Sequence, residues 1–314
     1  MAGTIGKGQI RVVGMADADT VINGGTEIVV GGDVFNTTIN EGGVQDVYHR
    51  GRTHDVTIND GGLQNLREGA TAYNTVINSG GVQDAHGNAF DTIVNGGGVQ
   101  DLWGASNTAV VNAGGFQVVE SGGIAGYSYL MGGAQSVKSG GGAGFTYVEK
   151  GGVLYDWGGT AETDIGAGGK EIVFKGGRAD ETTVETGGLL SVQAGGTAKD
   201  MAFGGTNATL DLALASDFTG YISGWQAADK IDLHNIKSGA GTTFGFSENA
   251  ANTGGVLTIS DGATVAKLNL IGQFTNADFA VSADAGGGVI VSHPVEMVAG
   301  PPAGAVIAAA AHVS

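Results

Sequence analysis

The chain has 314 residues, a formal net charge of −17, and 61 glycines against only 3 prolines. The acidic balance excludes a nucleic-acid ligand, which needs a basic footprint, and the absence of cysteine excludes disulfides and thiolate metal sites. Glycines that come in pairs, with 41% hydrophobic residues, fit neither collagen nor a disordered polymer, so a repetitive all-β fold remains.

Residues 1–20 lack a basic stretch followed by an apolar one, so no cleavable signal peptide is expected there. No run approaches the ~20 apolar residues of a membrane helix. Residues 1–17 are read as an N-terminal cap.

From residue 18 the sequence repeats itself. Thr38-Ile39-Asn40-Glu41-Gly42-Gly43-Val44-Gln45-Asp46 returns as Thr57-Ile58-Asn59-Asp60-Gly61-Gly62-Leu63-Gln64-Asn65. It returns again as Val76-Ile77-Asn78-Ser79-Gly80-Gly81-Val82-Gln83-Asp84, and looser copies run on to Gly187-Gly188-Leu189-Leu190. Taking the second glycine of each pair at 25, 43, 62, 81, 97, 115, 133, 152, 169 and 188, the steps are 16 to 19 residues. A weaker turn lies halfway along each copy, so one repeat predicts two short strands and two turns. Such strands cannot bury an apolar face alone; stacking successive copies joins their faces into one core. Glycine is expected at the corners because it enters φ > 0 without steric cost.

The predicted fold is a parallel β-solenoid of about ten coils over residues 18–205. At the strand spacing of roughly 4.8 Å it would form a rod of roughly 50 Å. Stacking then places Asn23, Asn40, Asn59, Asn78, Asn95 and Asn112 in one amide ladder at a corner. Gln45, Gln64, Gln83, Gln100, Gln117 and Gln135 form a second column.

The x-Ile-Asn-x-Gly-Gly-Val-Gln-x pattern resembles the AIDA-type passenger repeats of self-associating autotransporter adhesins. The resemblance covers about residues 18–205 and implies a right-handed parallel β-helix. It further implies a secreted or surface-attached protein of a Gram-negative bacterium, with a role in aggregation, adhesion or biofilm formation. Its implied partners are other copies of itself, glycans, or a host or neighbouring cell surface. At 314 residues the chain has no room for the membrane β-barrel in which those proteins end, so another route of export is expected.

Near Thr206 the Gly-pair rhythm stops. Residues 206–294 are read as a β-rich cap that closes the solenoid's open end. Alternating hydrophobics around Asp261-Gly262 predict a hairpin with a type I′ turn. This part resembles the C-terminal modules of RTX-like proteins exported by type I secretion. That resemblance makes residues 295–314, a tail rich in small apolar residues, a candidate uncleaved export signal.

Candidate chemistry lies in three places. Tyr48, Arg67, His86, Trp103, Glu120, Lys138 and Trp157 fall three residues after the Gln position and form one column. It reads as a solvent-facing stripe or as a carbohydrate-binding or self-association face, with Tyr48, Trp103 and Trp157 as stacking platforms. Clustered Arg50, Arg52, His54, Arg67 and His86 in one groove would instead favour a polysaccharide lyase or epimerase, the competing reading. Asp46, Asn65, Asp84 and Asp101 stack carboxylates one repeat apart, which calls for solvation or a shared cation such as Ca²⁺; Asp229, Asp232 and Asp284 are further acidic candidates. No Ser/His/Asp trio and no His-Glu-x-x-His motif is present, so the chain is expected not to be an enzyme.

Overall fold

The computed structural model describes residues 3–294. It is all-β, with 57% of residues in strands arranged as a parallel β-solenoid of about twelve turns. The strands beyond the predicted ten coils lie at the ends, where the Gly-Gly signal fades. At the start, Gly3–Ile5 pairs in parallel with Thr20–Ile22, and Ile10–Val13 with Thr26–Val29. Residues 1–17 are therefore not a separate cap, because residues 3–13 already form a coil. At the far end, parallel pairing continues past residue 205: Leu189–Val192, Thr209–Leu212 and Lys230–Leu233 follow in order. The predicted boundary came too early because Asn207-Ala208 and Ala228-Asp229 stand at the corners where earlier coils carry the glycine pair.

Each coil contributes one strand to each of two sheets. One sheet is built from four-residue strands such as Val44–Val47, Leu63–Leu66, Val82–Ala85 and Val99–Leu102, paired in exact register, Gln64 between Gln45 and Gln83. The other is built from longer strands such as Gly51–Ile58 and Thr71–Ile77. Each longer strand bends at one non-glycine residue in the left-handed region: Asp55 at φ 56°, Asn74 at 54°, Asp91 at 54°, Thr108 at 61°. Asp and Asn are the side chains that tolerate this conformation best. The extra residue lets both halves of the strand point apolar side chains inward; Val56 and Ile58 are fully buried.

The two glycines of each pair do different work. Gly61 adopts φ +67°, as a turn position that favours glycine. Gly62 does not; a Cβ there would sit 2.5 Å from the Ile39 carbonyl oxygen of the preceding coil. The second glycine is thus set by coil-to-coil approach rather than by torsion. The same criterion corrects one position. In the Gly96-Gly97-Gly98 run, Gly97 has φ +80° and Gly98 is the one crowded by Ile77 O at 2.7 Å. The second glycine is therefore residue 98, and the steps on either side become 17.

The distal end is closed by antiparallel strands. Val289–Ser292 runs antiparallel along Lys230–Leu233 and carries Ala280–Ala283 on its far side. On the other sheet, Phe218–Ser223 pairs with Val265–Ile271, which continues antiparallel to Gly254–Ser260 and then to Thr243–Glu248. Both open sheet edges at this end are thereby occupied. The hairpin around Asp261-Gly262 forms, but not through a type I′ turn. Ser260 pairs with Val265 across a four-residue loop. Its Asp261 carboxylate accepts the Lys237, Thr264 and Ala263 N–H groups, and these bonds hold the carboxyl below its ordinary pKa. Only Gly262 of the loop has positive φ, whereas type I′ requires it at both central residues. The expected export signal at residues 295–314 lies outside the described residues.

Polar ladders and the candidate interaction surface

The Asn column forms an amide ladder at the corner preceding each glycine pair. Asn40 Nδ2 donates to Asn23 Oδ1 at 2.7 Å, and Asn59, Asn78, Asn95 and Asn112 each donate to the previous member at 2.8–2.9 Å. The Gln column lies inside the solenoid. Gln45, Gln64, Gln83, Gln100, Gln117 and Gln135 are all completely buried, and Gln64, Gln83 and Gln100 donate to their predecessors at 2.7–2.8 Å. Their second N–H groups reach hydroxyls on the opposite sheet: Thr53 at 3.1 Å, Thr75 and Thr92 at 3.3 Å. A ladder in which every amide donates backwards needs an acceptor at its start. Glu27 supplies it, accepting from Gln45 Nε2 at 2.8 Å. Burial raises the Glu27 pKa against this stabilising bond.

Beyond Gln135 the interior position passes to Leu154, then to Glu171. Glu171 is fully buried and accepts the Thr160 and Thr182 hydroxyls at 2.6 and 3.3 Å. Burial pushes its pKa up to about 8. Asp156, also fully buried, occupies the neighbouring inward column between Val137 and Val173. Its Oδ1 accepts the Gly158 N–H at 2.8 Å while Oδ2 has no partner, and burial pushes it to about 7. Composition gives no hint of these two core acids; only their column position does.

A third ladder was not anticipated. The left-handed residues of the bent strands bond each other on the outside, Asn36 Nδ2 to Asp19 Oδ1 at 3.0 Å and Asn74 Nδ2 to Asp55 Oδ1 at 3.1 Å. The available signal was an Asx four residues before five of the six ladder asparagines: Asp19/Asn23, Asn36/Asn40, Asp55/Asn59, Asn74/Asn78 and Asp91/Asn95.

The stripe residues Tyr48, Arg67, His86, Trp103, Glu120, Lys138 and Trp157 do share one column, each N–H bonding the equivalent carbonyl of the previous coil. Two of its three ring platforms are stacked on neighbouring rings. His86 and Trp103 stack on each other at 5.4 Å and 8°, Trp157 and Phe174 at 4.2 Å and 3°, and the Lys138 ammonium lies 5.2 Å from the Trp157 ring centre. Rings stacked along the rod axis present their edges to solvent, so the faces that a pyranose would cover are largely occupied. A second stack, Phe35–His54–Tyr73–Phe90, runs at 4.6–5.3 Å on the bent-strand sheet.

The basic residues proposed for a catalytic groove are dispersed. Arg52 and His54 sit by Asp33 at 3.7 and 3.4 Å on one sheet; Arg67 sits by Asp46 at 3.4 Å and His86 by Asp84 at 3.3 Å on the other. Arg50 occupies a turn at φ 69°. Among the acidic candidates, Asp46 accepts from Asn65 at 2.7 Å. Burial, with Asp84 and Glu120 nearby, raises the Asp101 pKa. Asp229 is fully buried, and its two oxygens brace the turn by accepting the Ala208 and Gln226 N–H groups. Along the bend, Val76, Ile93 and Val110, with Asn74, Asp91 and Thr108, line an open depression of about 390 Å³.

No family model matches the chain, and no curated protein matches it. Among solved structures it is similar to a TibA fragment, hyper-glycosylated by TibC catalysis. The two share 30% identity and a TM-score of 0.53, over 73% of this chain and 92% of that one. The chain belongs to the autotransporter adhesin passenger class. The stacked coils and ladders above are therefore those of an adhesin-type passenger β-helix, and its neighbour is an adhesin rather than an enzyme.

Proposed function

We propose that this passenger-type solenoid is a secreted or cell-surface adhesive rod whose lateral faces associate with other copies of itself, in aggregation or biofilm formation. The similarity to the TibA fragment carries the reading. The surface supports it: long columns of amides, carboxylates and edge-on rings repeat along the axis, a geometry suited to many weak lateral contacts rather than one deep site. The depression at Val76, Ile93 and Val110 offers the apolar part of such a face. Export by a type I route through residues 295–314 and Ca²⁺ held between Asp84 and Asp101 belong to the same proposal. They rest on composition and on the like-charged column.

The test is concentration-dependent light scattering of the purified chain together with settling of cells that display it. Self-association is expected, and Ile93→Asp is expected to weaken it at unchanged fold by circular dichroism. A protein that stays monomeric, leaves cells dispersed and cleaves a uronate polymer would overturn the reading.

A further inference from the structure

We propose that Asp211, Asp232 and His234 form a binding site for a first-row divalent metal ion, with Zn²⁺ the best-fitting member. The site lies on the outer face of the last two coils, at the distal end of the column that begins with Asp46, and does not depend on the adhesive reading. Asp211 and Asp232 are register partners on Thr209–Leu212 and Lys230–Leu233, and His234 follows directly. One ligand atom from each lies within 4.8 Å of the others, and among the described residues no other three His, Asp or Glu side chains meet so closely.

Without an ion, His234 and Asp211 pair with each other, an arrangement an ion would replace. His234 Nε2 is 2.7 Å from Asp211 Oδ1 and 3.9 Å from Asp232 Oδ1. The other Asp211 oxygen accepts the Ser191 hydroxyl at 2.7 Å, and Ser191 is itself held by Gln193 Nε2 at 2.8 Å. Such outer bonds orient a ligating carboxylate. Asp232 Oδ1 is shielded from solvent and receives no hydrogen bond. A buried oxygen in that condition costs free energy unless something electropositive meets it.

A third carboxylate, Asp284, lies beside Asp232 and is fixed by the Gly288 N–H at 2.6 Å. Its loop comes this near because residue 288 has no side chain. A Cβ there would fall 2.5 Å from Asp284 Oδ2 and 3.0 Å from His234 Cα. One histidine faces three carboxylates here, and like charges directly opposed on neighbouring strands are destabilising. A divalent ion relieves both. The imidazole decides which ion: carboxylate oxygens alone suit Ca²⁺ or Mg²⁺, whereas nitrogen with oxygen in a small set suits Zn²⁺ and its first-row neighbours.

The full chain, stripped with chelator, should be titrated calorimetrically with ZnCl₂ and with CaCl₂, and melted with and without each. Zn²⁺ is expected to bind at one site per chain that His234→Ala weakens at least tenfold, with a rise in melting midpoint that this variant loses. His234 is half exposed, and the near-isosteric Asp232→Asn repeats the test without shortening a side chain. Absence of Zn²⁺ binding overturns the proposal, as does binding that both variants leave unchanged. A site that takes Ca²⁺ as well as Zn²⁺ and ignores the loss of His234 also overturns it.

Discussion

Replacing Glu171 by Gln should make this protein more stable at neutral pH and remove part of its pH dependence. Glu171 has an ordinary pKa of 4.5 and is pushed up to about 8 by burial in the solenoid interior. The folded chain therefore holds this proton more tightly than the unfolded chain does. The stability it contributes is fully present below pH 4.5 and is lost as pH rises towards 8, where the loss levels off. At about 1.4 kcal/mol per pH unit, the loss by pH 7 is about 3 kcal/mol. Gln keeps the shape and can engage both the Thr160 and Thr182 hydroxyls, as the buried glutamines engage Thr53 and Thr75. Thermal melts of wild type and variant at pH 5 and pH 8 read this directly. The midpoints should lie close together at pH 5, with the variant higher by about 5 °C or more at pH 8. An offset that is the same at both pH values would refute the reasoning, because ionisation would then not be the source. Asp156→Asn should act in the same direction, since that carboxyl is raised to about 7 with one oxygen unpartnered.

Other outcomes follow from the ladders and the glycines. Gly62→Ala should destabilise by about 1–3 kcal/mol, because its Cβ meets a backbone oxygen at 2.5 Å that cannot move without shifting a coil. Gly61→Ala, whose nearest obstacle is the flexible Glu41 side chain at 3.2 Å, should cost only the torsional ~1–2 kcal/mol; urea titration compares the two. Gln83→Ala strands the Gln64 oxygen and the Gln100 nitrogen inside the core, so about 3 kcal/mol is expected. Asn78→Ala at the half-buried corner should cost about 1 kcal/mol, and equal losses at the two positions would contradict the assignment of inside and outside. A chelator should lower the melting midpoint if Ca²⁺ bridges Asp84 and Asp101; an unchanged midpoint removes that part of the proposal.

The sequence by itself determined the coil. Paired glycines at near-constant spacing, with Val-Gln and Ile-Asn at fixed offsets, leave stacking as the one way to bury those apolar positions, and stacking brings like residues together in columns. The Asn ladder and the membership of the Tyr48–Trp157 stripe were legible for that reason. What the columns face was not. Period-two alternation says that Gln45 and Asp46 point to opposite sides, but polarity suggests neither is inside, and only packing against Thr53 and its equivalents puts the glutamines in the core. The bend at Asp55 and Asn74 escaped because one extra left-handed residue leaves the apolar pattern on either side unbroken. Trp103 and Trp157 became stacked rings because axial spacing brings neighbouring rings face to face, which no residue-by-residue reading registers. Closure of the last coil, and the approach of Asp284 to Asp211, Asp232 and His234, depend on a strand returning antiparallel from residue 289 to residue 230. Contacts of that sequence separation are set by the tertiary fold alone.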